Sequence, residues 1–132
     1  MKTIEVVAGV IKDQEGKILC VQRGESSKPY ISKKWEFPGG KLELGESKEE
    51  ALVRELNEEL MVIVDNLEFL KTVYHDYPDF SIVMHVFTCK INSDEKPVLT
   101  EHLSYLWMDS ADLYDLDWAA ADVPIVETLN EG

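Results

Sequence analysis

The segment from Ser47 to Leu60 constrains this chain more than any other. It contains no glycine or proline, and Ser47 is followed three residues later by Glu50. That spacing is a capping box, in which each side chain satisfies an N–H group at the start of a helix. At about 100° per residue, Glu55, Glu58 and Glu59 fall within an arc of about 100°, with Ala51 in its middle one turn earlier. Leu52, Leu56, Leu60 and Val53 occupy the adjacent arc and read as the core face, while Glu50, Arg54 and Asn57 point away from both. Like charges at these spacings each cost roughly 0.2–0.5 kcal/mol. A solvated acidic face usually intersperses lysines, and this arc has only Lys48 near its start. Three carboxylates converging on a cleft are instead what a hard cation such as Mg²⁺ requires, and Mg²⁺ pairs with phosphates. A plain solvent face is the competing reading.

The rest of the chain reads mostly as strands. Thr3 to Ile11 is β-branched and apolar; Asp13-Gln14-Glu15-Gly16 is a turn, and Lys17 to Val21 resumes as a strand, so the two suggest a hairpin. Arg23 to Lys34 reads as a loop, followed by the short extended piece Trp35-Glu36-Phe37-Pro38 and the turn Gly39-Gly40. Asn66 to His75 and Ser81 to Ile91 read as strands joined through Tyr77-Pro78-Asp79, and Tyr105 to Asp109 as another. Val123 to Leu129 reads as a terminal helix with Pro124 in its first turn. Strands interleaved with few helices predict an α/β fold, a mixed sheet with helices on its faces. At 132 residues and 45% hydrophobic content, one domain over residues 1–132 is expected.

A formal net charge of −13 argues against polymeric nucleic acid and anionic membrane surfaces as partners. The charge is uneven. Acidic residues crowd Glu43 to Glu59, Arg23, Lys28, Lys33, Lys34 and Lys41 lie just before them, and no Lys or Arg follows Lys96. No apolar run approaches the roughly 20 residues of a membrane span. Cys20 and Cys89 each sit in an apolar run with no CxxC pair, which predicts two reduced, buried thiols in a cytoplasmic protein.

Around the helix, Gly39-Gly40 allows close backbone approach to a metal or a phosphate. Glu46 and Arg54 form a candidate clamp on the loop. Together, Gly40-x5-Glu46-x7-Arg54-Glu55-Leu56-x-Glu58-Glu59-x-Met61-Val62 resembles the Nudix box, and every specified position but one matches. Trp35-Glu36-Phe37-Pro38-Gly39 resembles the MutT-type branch of the Nudix hydrolases, which cleaves nucleoside triphosphates. The departure is Met61, where the family has a glycine suited to a left-handed helix cap; Met there costs roughly 1 kcal/mol if the conformation is kept.

The resemblance implies a Nudix fold and a Mg²⁺- or Mn²⁺-dependent hydrolase of a small-molecule nucleoside triphosphate, acting as monomer or homodimer and releasing nucleoside monophosphate and pyrophosphate. It implies Glu58 and Glu59 as metal ligands with Gly39, Gly40 and Glu55 nearby, Glu101 as a further ligand, and Arg23 and Lys41 at the phosphates. Glu55 is the expected general base, with roles exchangeable among Glu55, Glu58 and Glu59. Phe37 and Tyr77 are candidates to stack on a base. Asp122 stands where the sanitising enzymes of this branch carry an asparagine that reads 8-oxoguanine. An ionised carboxylate only accepts hydrogen bonds, so Asp122 favours a base with an exocyclic amino group, such as cytosine. The segment Asp117 to Pro124 likewise resembles CTP pyrophosphohydrolases. The expected substrate is therefore CTP, dCTP or a modified cytosine nucleotide, with 8-oxo-dGTP as the alternative; a cap on the last helix is the competing reading of Asp122. Another diphosphate, such as a sugar nucleotide, and a non-catalytic nucleotide-binding module are the remaining readings.

Overall fold

The computed structural model describes residues 2–92 and 95–131. The strands are β1 (Lys2–Lys12), β2 (Ile18–Gln22), β3 (Trp35–Glu36), β4 (Gly39–Lys41), β5 (Val64–Asp76), β6 (Phe80–Ile91) and β7 (Ser104–Met108). The helices are α1 (Lys48–Leu60) and α2 (Val123–Glu131), with short 3₁₀ turns at Ser110–Asp115 and Ala120–Asp122. The sheet runs β3-β2-β1-β6-β5, with β4 also paired to β1 and β7 to β2. It is mixed because β1 lies parallel to β6, from Lys2 opposite Phe80 to Lys12 opposite Lys90, and antiparallel to its other partners.

The expected β1–β2 hairpin exists only at its root. Asp13 organises the turn by accepting N–H bonds from Glu15 and Lys17, both at 2.9 Å. Beyond Lys12 opposite Ile18 the strands part company. The edge of β1 that a hairpin would use is taken instead by β4, over Val6 to Ala8, and β2 turns to pair with β3 and β7. A Cβ on Gly39 would overlap the Val7 carbonyl, so this tight β1–β4 approach requires glycine.

Each face of the sheet carries a core. On one, Leu52, Leu56 and Leu60 of α1 pack on Val7, Leu19 and Phe87; on the other, Ile125 and Val126 of α2 pack near Val10, Val86 and Trp118. Cys20 belongs to the α2-side core and Cys89 to the α1-side core, so the sheet separates the two buried free thiols. Burial raises both thiol pKa values to about 12.

The capping box of α1 forms as read: Ser47 Oγ accepts from the Glu50 N–H at 3.1 Å, and Glu50 Oε1 accepts from the Ser47 N–H at 2.9 Å. The core face is rotated from the expected one. Val53 is 37% exposed, and the buried stripe is Ala51, Leu52, Leu56 and Leu60. The sheet meets the helix closer to the acidic arc than the apolar pattern suggested, so Glu55 and Glu59 project within the buried side. Met61 ends the helix at φ 56°, ψ 37°, donating its N–H to the Asn57 carbonyl. The left-handed cap is thus kept with a side chain in place of glycine. Among the described residues, no helix is long and apolar enough to cross a membrane.

Candidate active site

The connection before β7 is docked on the end of α1. The Val98 N–H donates to the Leu60 carbonyl at 2.8 Å, and the Thr100 N–H and hydroxyl both donate to the Glu59 carbonyl. These bonds satisfy helix carbonyls that have no intrahelical partner. They also carry Glu101 and His102 to the side of the sheet where β3, β4 and α1 meet, and a cleft of about 1030 Å³ opens there.

Gly39, Gly40, Glu55, Glu59 and Glu101 line the cleft. A Cβ on Gly40 would collide with the Glu55 carboxylate, so the second glycine makes room for a side chain of α1. Glu59 Oε2 is buried and has no hydrogen-bond partner among the described residues. Burial, and then the charges of Glu55, Glu101 and Glu36, push the Glu59 pKa up to about 8. A buried, partnerless carboxylate oxygen among like charges fits a hard cation, whose charge would offset that repulsion.

Glu58 is placed differently. It lies outside the residues lining the cleft, with a side chain 60% exposed, and accepts from Arg54 Nη1 at 3.2 Å. Arg54 holds a second acidic cluster. Its Nε and Nη2 grip the two oxygens of Glu46 at 2.7 and 2.9 Å, Nη2 reaches the Lys41 carbonyl at 3.1 Å, and Nη1 reaches Glu55 Oε1 at 3.0 Å. The Arg54 bond, with smaller help from the Glu43 N–H, holds the Glu46 pKa near 2. This two-pronged contact ties the loop after β4 to α1. Among the described residues, no three His, Cys, Asp or Glu side chains already gather around one point.

Arg23, Lys41, Phe37, Tyr77 and Asp122 line the same cleft. Asp122 is 5% exposed, and its Oδ1 accepts from the Phe37 N–H at 2.9 Å. Burial, and then the Glu36 charge, raise its pKa well above the usual carboxylate range. The Phe37 ring stacks on Trp118 at 4.6 Å, and Tyr77 on Tyr30 at 5.1 Å. Both candidate stacking rings are buried, Phe37 at 3% and Tyr77 at 6% exposure, and Tyr77 also meets His75 and Phe80, so they read as core side chains with only an edge at the cleft. The Tyr77 hydroxyl accepts from the Ala121 N–H at 3.1 Å, which tethers the segment bearing Asp122.

Two cleft residues carried no role in the sequence reading. Glu36 accepts from Arg23 Nη1 at 3.3 Å and pairs with His102 Nε2 at 3.1 Å. The available signal was adjacency, since Glu36 precedes Phe37 and His102 follows Glu101.

A model of the NUDIX domain matches residues 2–129. The chain belongs to the Nudix hydrolase family. It is 34% identical over 131 residues to the CTP pyrophosphohydrolase of Escherichia coli K12, covering 98% of this chain and 93% of that protein. It is 28% identical over 129 residues to the 8-oxo-dGTP diphosphatase of the same organism, covering 98% of each. The solution structure of the E. coli ORF135 protein superposes with a TM-score of 0.80 at 32% identity, covering 99% of this chain and 91% of that one. The expected α/β Nudix fold of the MutT type is therefore present, and this chain is a nucleotide diphosphatase. Nudix hydrolases act on small-molecule nucleotides and generally use a divalent metal.

Proposed function

We propose that this Nudix hydrolase cleaves a nucleoside triphosphate to the monophosphate and pyrophosphate, with a cytosine nucleotide as its preferred substrate. The observation that carries the triphosphate reading is the shared cleft. Glu55 and Glu59, Arg23 and the buried carboxyl of Asp122 all line it, with Glu59 among like charges.

Gly39, Gly40, Glu55, Glu59 and Glu101 would hold Mg²⁺ or Mn²⁺, and Glu58, held by Arg54 in this structure, is the remaining candidate ligand on the helix. When bound, the ion supplies charge neutralisation at the polyphosphate and a more acidic water. Glu55 is the proposed general base, held in place by Arg54 while it takes the proton; Glu59 is the group that could exchange that role. Arg23 and Lys41 bind phosphate oxygens.

Asp122 reads the base. Its Oδ1 is engaged by Phe37, so recognition falls to the remaining oxygen. Ionised, that oxygen accepts from the cytosine amino group; protonated, it donates to a base carbonyl. The raised pKa of Asp122 favours the second state, in which a carbonyl of either cytosine or 8-oxoguanine accepts the bond; the likeness to a CTP pyrophosphohydrolase supports cytosine, and the likeness to an 8-oxo-dGTP diphosphatase supports the alternative.

A panel of normal, oxidised and methylated nucleotides, with product analysis and with or without Mg²⁺, tests the reading. Mg²⁺-dependent pyrophosphate release and the highest kcat/KM for CTP or dCTP are expected. A tenfold or greater preference for 8-oxo-dGTP overturns the cytosine assignment, and no release from any nucleotide overturns hydrolysis. Asp122→Asn is expected to shift the ratio of cytosine to 8-oxoguanine turnover by roughly tenfold.

A further inference from the structure

Arg23 faces an electrostatic problem. It is the arginine of the cleft wall in a strongly acidic protein, its side chain is 45% exposed, and its Nη1 is paired with Glu36, so the placement of that carboxylate decides where the guanidinium points. Its backbone leaves the end of β2, which is held from both sides. The Arg23 N–H donates to the Lys34 carbonyl just before β3, and the Leu103 N–H just before β7 donates to the Gln22 carbonyl. β3 and β7 thus flank β2 on opposite edges.

A side-chain bridge spans these two flanks. Glu36, from β3, pairs through one oxygen with His102, from the turn before β7, and through the other with Arg23. The His102 side chain is only 6% exposed and its Nδ1 is buried without a partner among the described residues. With Nε2 turned to a carboxylate, that nitrogen is the donor, and the ring is held in one tautomer and one orientation. A long flexible arginine loses rotamer entropy when it is fixed on a ligand. A rigid imidazole that orients the carboxylate that orients the arginine removes part of this cost before the ligand arrives.

We propose that His102 is a positioning residue for the phosphate arm of the site, acting through Glu36 on Arg23. This deepens the proposed function, since it assigns Arg23 to the polyphosphate. His102 makes no contact with the reacting atoms in this account. The bond that bridges the two flanks of β2 aims Arg23 at the cleft.

The test is a double-mutant cycle read by calorimetric binding of inorganic pyrophosphate in the presence of Mg²⁺, so that it does not depend on turnover. His102→Leu removes the donor and is expected to weaken binding about tenfold. His102→Gln, which can still donate to Glu36, is expected to stay within about threefold of the parent. In an Arg23→Ala background, His102→Leu is expected to change affinity less than twofold, because the arm it positions is gone. Equal losses in both backgrounds, or no loss in the parent, overturn the inference, and so does failure of His102→Gln to restore binding. If His102→Leu does not fold, Glu36→Gln is carried through the same cycle with the same non-additivity required. A parent that binds pyrophosphate but hydrolyses no nucleotide removes the proposed reaction and leaves this cycle to decide the relay.

Discussion

Two acidic clusters meet at helix α1, and they are opposite in character. Around Arg54, the carboxylates of Glu46, Glu58 and Glu43 share one guanidinium, and Glu46 is held ionised with a pKa near 2. Around Gly40, Glu59 sits among Glu55, Glu101 and Glu36 with a pKa near 8 and an oxygen without a partner among the described residues. The same residue type reads as structure where an arginine answers it and as chemistry where nothing does. Glu55 belongs to both clusters, bonded to Arg54 and facing the cleft, so the clamp is also part of the site's scaffold.

The sharpest way to break this contrast is Glu59→Gln. Turnover is expected to fall by about 10²- to 10⁴-fold. Stability should move the other way. The folded cation-free protein holds the Glu59 proton near pH 8, against 4.5 for an ordinary glutamate, so it binds more protons than the unfolded chain between those values. Its stability is therefore lost as pH rises from about 4.5 to about 8. Thermal unfolding without metal should give a lower Tm at pH 8 than at pH 6. Glu59→Gln should flatten that slope, and Mg²⁺ should reverse it in the parent. A parent Tm independent of pH over this range would remove the claim that Glu59 is repelled.

Arg54→Ala tests the satisfied cluster. It strands Glu46 and frees the loop after β4, and kcat is expected to fall roughly 10- to 100-fold through misplacement of Glu55 and Gly40, with a lowered Tm. Here the pH sign is opposite. Glu46 contributes its stability above about 4.5, and that contribution is lost as pH falls toward 2, so the acid limb of the parent's stability curve should lose part of its slope in Arg54→Ala. An Arg54→Ala variant with parental kcat would separate the clamp from the site.

The smallest effect is expected at Met61, which is 60% exposed at the end of α1 and apart from both clusters. Met61→Gly should raise stability by about 1 kcal/mol, seen as a higher urea midpoint with unchanged slope, and leave kcat unchanged. Loss of activity would mean that the helix end couples to the site.

Local patterns in the sequence were sufficient for α1, its capping box and the spacing of its carboxylates, because these depend on residues within a few positions of one another. The family itself was legible for the same reason, whereas the sequence allowed either a kept left-handed cap at Met61 or a different helix end, and the structure shows the cap. The other strand runs were legible in type, with ends shifted by a residue or two, but Gly39-Gly40 read as a turn and is instead strand β4, paired with β1. What the pattern misjudged was orientation. A helix wheel locates an apolar stripe but not the line along which a sheet meets it, so Val53 came out exposed while Glu55 and Glu59 faced inward. The hairpin misjudgement is similar, since β4 competes for the edge of β1 through a glycine contact with Val7 that adjacency in the chain does not reveal.

The sequence by itself determined that this chain carries a capped acidic helix beside paired glycines, and with it membership of a pyrophosphate-cleaving family. Only the tertiary structure decided which carboxylate oxygen lacks a partner among the described residues, which carboxylate is neutralised by Arg54, and that His102 meets Glu36 across 66 residues of chain. The reason is physical. Helix formation and capping are set by neighbours along the chain, whereas charge state and side-chain aim are set by whatever groups the fold brings within a few ångströms.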